Sequence, residues 1–464
     1  MGGTGRCLAE KAVFTKNAAA NDRNGIFEND RSIVGFCLTG KGGQEMKQTT
    51  INRYKELIKA YSVKNYRKMT REPDGNLKYP FLVPGSASYS NCLWDWDSWL
   101  TNIAVRQIMM DQKDLGEEFS KYEKGCILNF LEWTSEDGWM PITIMPDDTM
   151  PRVGAGKMEN IHKPCIAQHA AFIIQVNDGE CKWIEAYISK LEAYFSYYRQ
   201  NMFHEKTGLY FWLDDTAIGV DNDPCTFYRP DKSSASIYLN CMMYKELLAM
   251  DFICKKLGIT SSKYEIQAEN LKEAIQENLW DERNGFYYSA DLNLKPIDPQ
   301  QWLHSGMPRH WHSLIQKIDC WSGFMAMWSG IATQEQAERM VRENLLKEEL
   351  FNGAFGVRTL AKTEKMYRVV KSGNPSCWLG PVWGISNYMC YRGLKNYGFE
   401  KEAEELALKT ITLFGSDLEK CGEFHEYYEP DTGEGVNNPG FQSWNLLVNN
   451  MISEVEGQKA VREF

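Results

Sequence analysis

Asn201-Met-Phe-His-Glu-Lys-Thr-Gly-Leu-Tyr-Phe-Trp212 and Asn278-Leu-Trp-Asp-Glu-Arg-Asn-Gly-Phe-Tyr-Tyr288 repeat one pattern, with Asn278 standing 77 residues after Asn201. Each segment ends a helix, makes a polar turn with a glycine, and returns on aromatic residues. Working outward, the chain before the first segment places Trp183, Tyr187, Leu191, Tyr194 and Tyr198 three or four residues apart. Tyr264, Ala268, Leu271, Ile275 and Leu279 do the same before the second, and Ala403, Leu406, Thr410 and Leu413 near the end. Such spacing lays an apolar stripe along one side of an α-helix. About a dozen helical segments of this kind fit between residues 51 and 454, while strict alternation is rare and short. A repeat of this span holds two helical hairpins. The expectation is an all-α protein built as a closed ring of helix pairs. A solenoid is the alternative, and it calls for a tighter, more regular repeat.

The chain has 464 residues, 43% hydrophobic and 25% charged, enough to bury a sizeable core. Its unusual feature is 15 Trp, 23 Tyr and 21 Phe. Most of these belong to the core. Trp clustered beside carboxylates is read differently, because sugars lay their C–H faces on aromatic rings. A net charge of −10 excludes the basic footprint of a nucleic-acid partner. No run of 18 apolar residues and no signal-peptide h-region is present, so no membrane partner is expected. The 13 Cys are odd in number and lack a CxxC pair, which reads as free thiols in a reducing, cytoplasmic setting. The seven His show no metal-ligand spacing, so no metal or cofactor is expected. Residues 1–45, rich in Gly, Asn and Lys, read as a weakly ordered extension, and residues 46–464 as the folded domain. The oligomeric state stays open.

Four loop clusters concentrate chemistry. Leu93-Trp-Asp-Trp-Asp-Ser-Trp99 packs three Trp and two Asp together. Gly219-Val-Asp-Asn-Asp-Pro224 reads, taken alone, as a turn. Cys377-Trp-Leu-Gly-Pro-Val-Trp383 sets Gly-Pro between Trp residues. Gly422-Glu-Phe-His-Glu-Tyr-Tyr-Glu-Pro-Asp-Thr-Gly-Glu-Gly435 holds five carboxylates and precedes Gly440-Phe-Gln-Ser-Trp444. Together they supply paired carboxyl groups and aromatic walls, the needs of glycoside hydrolysis. No GxSxG elbow occurs, and Gly154-Ala-Gly-Lys157 lacks the spacing of a P-loop.

From about Tyr79 to Leu447 the sequence resembles glycoside hydrolase family 63 and its relatives, among them the family 37 trehalases. The resemblance implies an (α/α)6 barrel, a toroid of six hairpins with long active-site loops. It implies Asp97, in Trp94-Asp-Trp-Asp-Ser-Trp99, as the group holding the −1 sugar. It implies Asp221 as general acid and Glu426 as general base. Lys163-Pro164 resembles a Lys-Pro-Pro element near the pocket, and Trp94, Trp96, Trp99, Trp378, Trp383 and Trp444 complete the expected substrate-binding set. The chain departs from the family pattern at Leu379, at Ala217-Ile-Gly219 and at Cys165, which leaves the substrate open. Residues 46–464 accommodate one barrel and no added β-sandwich.

The expected function is inverting hydrolysis of a small α-glucoside, an oligosaccharide or disaccharide, by acid–base catalysis. The alternatives are an α-mannosidase or a mannosylglycerate or glucosylglycerate hydrolase, and more distantly a non-catalytic carbohydrate-binding protein or a sugar epimerase on the same barrel.

Overall fold

The computed structural model describes residues 41–114, 117–147, 160–298, 300, 302–371 and 373–464. The extension expected over 1–45 lies largely outside the described residues, as does Gly154-Ala-Gly-Lys157.

Among the described residues, twelve helices build a ring. They are α1 (Lys41–Asn65), α2 (Asp95–Asp111), α3 (Ser120–Trp133), α4 (Ile166–Val176), α5 (Ile188–Asn201) and α6 (Ile237–Lys256). Then follow α7 (Lys263–Leu279), α8 (Met325–Trp328), α9 (Gln334–Arg339), α10 (Gly384–Asn396), α11 (Glu400–Cys421) and α12 (Val448–Val455). Short helical turns, Lys182–Glu185, Trp321–Phe324 and Ser443–Leu447, lead into α5, α8 and α12.

The two parities differ in burial. α7 buries Tyr264, Ala268, Leu271, Ala274, Ile275 and Leu279 and leaves its other side to water. α2 is buried from Asp95 to Met109, and α10 from Gly384 to Leu394. A helix covered on all sides lies inside; one with a single stripe lies outside. The even helices accordingly close an inner circle, α2 to α4, α6, α8, α10, α12 and back to α2, and the odd ones wrap it. This is the (α/α)6 barrel. Among the described residues, no helix is long and apolar enough to cross a membrane.

The links are unequal. Inner helices pass to outer ones through short stretches such as 257–262 and 397–399. Outer helices pass to inner ones through long stretches: 66–94, 134–165, 202–236, 280–320, 346–383 and 422–442. Two-residue strands brace these long links. β1 (Leu93–Trp94) pairs with β2 (Thr143–Ile144). β3 (Phe203–His204) pairs with β4 (Leu209–Tyr210), and β5 (Trp280–Asp281) with β6 (Phe286–Tyr287). These last two hairpins are the repeat seen in the sequence, in the same register: Phe203 faces Tyr210 as Trp280 faces Tyr287. Gly208 and Gly285 turn them at φ 71° and 60°, where a side chain is strained. β7 (Val382–Trp383) pairs with β8 (Tyr427–Tyr428).

On the face of the short links, the chain end packs under the inner circle. Val461 N donates to Gln107 Oε1 of α2, and Phe464 meets Phe252 of α6. Glu463 accepts from Trp328 Nε1, Tyr388 OH and Arg392 Nε, tying α8 to α10.

Candidate active site

The long links place chemistry at one mouth of the ring, where the inner helices begin. A cavity of about 320 Å³ opens there. Trp94, Trp96, Asp97, Lys163, Asp221, Trp378, Trp383, Glu426 and Trp444 all line it. Each approaches by a short route. Trp94 N-caps α2, so Trp96 and Asp97 occupy its first turn. Trp383 N-caps α10, and its pairing with Tyr427 draws Glu426 alongside the Trp378 segment.

Trp99 is the exception. It lies one helical turn below Trp96, has no exposed surface, and packs its ring 6.3 Å from that of Trp328. It belongs to the core of the inner circle, outside the cavity lining, because α2 runs away from the mouth.

The Trp wall is a continuous stack. Trp378 and Trp383 lie 3.9 Å apart and 9° from parallel. Tyr427 extends the stack beyond Trp383 at 4.9 Å, and Trp321 beyond Trp378 at 5.9 Å. Such a wall keeps water off the acids, and desolvation disfavours their charged forms.

Glu426 is buried and accepts three hydrogen bonds. Tyr89 OH reaches Oε1 at 3.3 Å, and Asn437 and Asn438 Nδ2 reach Oε2 at 2.9 and 3.2 Å. Burial raises its carboxyl above the usual range, while these three donors pull the other way. Asp221, on the α5–α6 link, lines the same cavity and accepts from Asn374 Nδ2 at 3.3 Å. Burial raises it too, opposed by Asn374 and Ser376.

Asp97 is pushed up to about 8, by burial first and by the Asp95 charge second. Ser443 Oγ donates to its Oδ1 at 3.1 Å. Lys163 lines the cavity, but its charge is committed. Its Nζ lies 2.9 and 3.0 Å from the two oxygens of buried Asp95, and its backbone N–H donates to the same carboxylate. Gly219, at φ 91°, lets the acid-bearing link cross this pair, since a Cβ there would sit 2.6 Å from Lys163 Cε and 2.8 Å from Trp96.

Sequence reasoning missed Tyr89, Asp95, Asn374, Asn437 and Asn438. Asp95 was visible in the Trp-Asp-Trp-Asp pattern, which does not say which Asp faces the cavity. The others sit on loops without periodicity and meet the acids only through the fold. Among the described residues, the clusters suited to a metal ion are Asp223–Cys225–Cys320 and Asp417–Cys421–His425, neither of them in the cavity lining.

Comparison with known proteins gives the family and the fold. The family model described as Mannosylglycerate hydrolase MGH1-like glycoside hydrolase domain matches residues 89–444. Mannosylglycerate hydrolase MGH1 of Selaginella moellendorffii is 23% identical over 441 residues, covering 83% of this chain and 84% of that one. A cytosolic neutral trehalase of Kluyveromyces lactis is 27% identical over 247 residues, 50% of this chain. That match spans only 30% of the trehalase's own length. Among solved structures, a GH63 mannosylglycerate hydrolase from Thermus thermophilus in complex with glucose superposes with a TM-score of 0.62 at 18% identity, covering 82% of this chain and 96% of that one. At that identity the likeness is one of fold.

Proposed function

The chain belongs to the MGH1-like glycoside hydrolase family, and from that premise we propose that it is an inverting hydrolase of small α-glycosides. The observation that carries the reading is the placement of Asp221 and Glu426 on one Trp-walled cavity. Asp221, protonated, gives its proton to the glycosidic oxygen. Glu426, ionised, takes a proton from a water that attacks the anomeric carbon from the other face. The donor count supports this division of roles: three fixed donors favour charge on Glu426, and Asp221 has fewer. Asp97 binds hydroxyl groups of the −1 sugar, and Trp378 and Trp383, stacked on each other, line the pocket beside it.

Family and coverage favour a glycosyl-glycerate as substrate. A second reading, a neutral disaccharide of the α-glucoside type, has its own support. Lys163 is the cation lining the cavity among the described residues, and Asp95 neutralises it, so no described cation is left there to meet a glycerate carboxylate. A screen of mannosylglycerate, glucosylglycerate and α-linked disaccharides, read by released mannose or glucose, decides between them. Turnover of none of these compounds overturns the assignment.

A further inference from the structure

Behind the acid-bearing link lies a cluster that the hydrolytic reaction does not use. Cys225 and Cys320 are buried, 1% and 5% exposed, with their sulfur atoms 3.9 Å apart. Cys320 Sγ donates to Asp223 Oδ1 at 3.8 Å, and Thr226 Oγ1 donates to the other Asp223 oxygen at 3.0 Å. Both thiols are free. They come from different links, one before α6 and one before α8.

Each sulfur stands next to the cavity wall. Cys225 lies four residues after Asp221, and the intervening Asn222 accepts from Trp378 N at 2.7 Å. Cys320 precedes Trp321, whose ring stacks on Trp378. A displacement of either sulfur therefore reaches both the acid and the aromatic stack.

We propose that Cys225 and Cys320 form a peroxide-sensitive thiol pair, whose closure to a disulfide tethers the acid-bearing link and slows turnover reversibly. A disulfide holds its sulfurs about 2.0 Å apart. Closure therefore draws the two links together from the 3.9 Å of the thiol state. A displacement of about 1 Å at a reacting group costs up to 10²-fold in rate.

The chemistry balances with hydrogen peroxide as oxidant. Cys320 passes its proton to Asp223, and its sulfur attacks one peroxide oxygen. The O–O bond breaks, and the departing hydroxide takes the proton from Asp223 as water, leaving a sulfenic acid. The Cys225 sulfur then attacks the Cys320 sulfur, the S–O bond breaks, and hydroxide leaves with the Cys225 proton as a second water. Two thiols and one peroxide give one disulfide and two waters.

The test treats the full chain with hydrogen peroxide and maps its peptides without reduction. A peptide pair joined through Cys225 and Cys320, lighter than the two thiol peptides by two hydrogen atoms, is expected. Turnover is expected to fall about 10-fold, within the range set by such a displacement, and to return with dithiothreitol. Cys225→Ser and, separately, Cys320→Ala are expected to keep basal turnover and to resist this loss. Absence of the 225–320 link at a peroxide dose that oxidises exposed Cys421 overturns the proposal, and so does a link that leaves turnover unchanged. The loss-of-turnover arm rests on Asp221 being the acid. The cross-link and slowed hydrogen exchange over 219–228 do not, so failure of the glycosidase reading shows up separately.

Discussion

Glu426 and Asp221 share one cavity but not one hydrogen-bond environment, and the difference predicts which limb of the pH profile each controls. On the proposed roles the base must be ionised, so the acidic limb of kcat/KM follows Glu426. The acid must be protonated, so the alkaline limb follows Asp221. Asn437 lowers the Glu426 pKa against burial. Asn437→Ala should therefore move the acidic limb upward by about one pH unit, since a hydrogen bond to a charged group is worth about 1.5–3 kcal/mol. Asn374→Ala should move the alkaline limb upward instead, because Asn374 lowers Asp221. If Asn437→Ala moved the alkaline limb and Asn374→Ala the acidic one, the roles of the two carboxyls would need exchanging. Asp221→Asn and Glu426→Gln should each cut turnover by about 10²–10⁴ while the circular-dichroism melting curve stays in place. How much of this the sequence shows is uneven. Asp221, Glu426 and five cavity Trp are legible from motif resemblance. Asn437 and Tyr89 are not, because Tyr89 meets Glu426 across 337 residues of chain. Trp96 and Trp99 look alike in sequence and separate only when the axis of α2 decides which ring faces the mouth.

The outer helices are legible because each carries one stripe; the stripes in the sequence fall on α5, α7 and α11. The inner helices hide from periodicity because they are buried all round. Their ends also use partners that local sequence cannot name. Cys165 at the N-cap of α4 makes no side-chain cap. Glu246, from the middle of α6, supplies it by accepting from Ala167 N at 2.8 Å and Gln168 N at 3.0 Å. Removing this cap by Glu246→Ala should destabilise the protein by about 1–3 kcal/mol, measured by urea denaturation. Burial pushes Glu246 up to about 8, against an ordinary 4.5. A raised folded-state value means stability present below about pH 4.5 and lost as pH rises through about 8. Glu246→Gln should flatten the stability profile between those limits. A profile unchanged by the substitution would show that Glu246 is ionised throughout.

At the scale of the whole molecule, the candidate site and the closure occupy opposite faces of one ring. Inversion is a property of the assembled mouth: an α-glycoside should release a β-sugar first, visible as the anomeric proton signal in the opening minutes of hydrolysis. First release of the α-anomer would make Glu426 a nucleophile. On the other face, Glu463 neutralises Arg392, itself buried at 6% exposure. Glu463→Ala leaves Arg392 only its longer contact to Glu454, at 3.5 Å, and should cost about 1–3 kcal/mol, read as a fall in Tm with kcat unchanged at low temperature. The repeating hairpins make the ring legible in sequence; this closure is not, because its partners are scattered over α8 and α10. The unequal links have a further consequence, for connectivity. The ring does not depend on where its backbone is cut, but the mouth does, and it stays whole only when the cut falls on the face of short links. A circular permutant opened within 257–262, with the end after Phe464 joined through a flexible linker to Lys41, should refold and keep its substrate preference. One opened within 202–236 should fold and lose it.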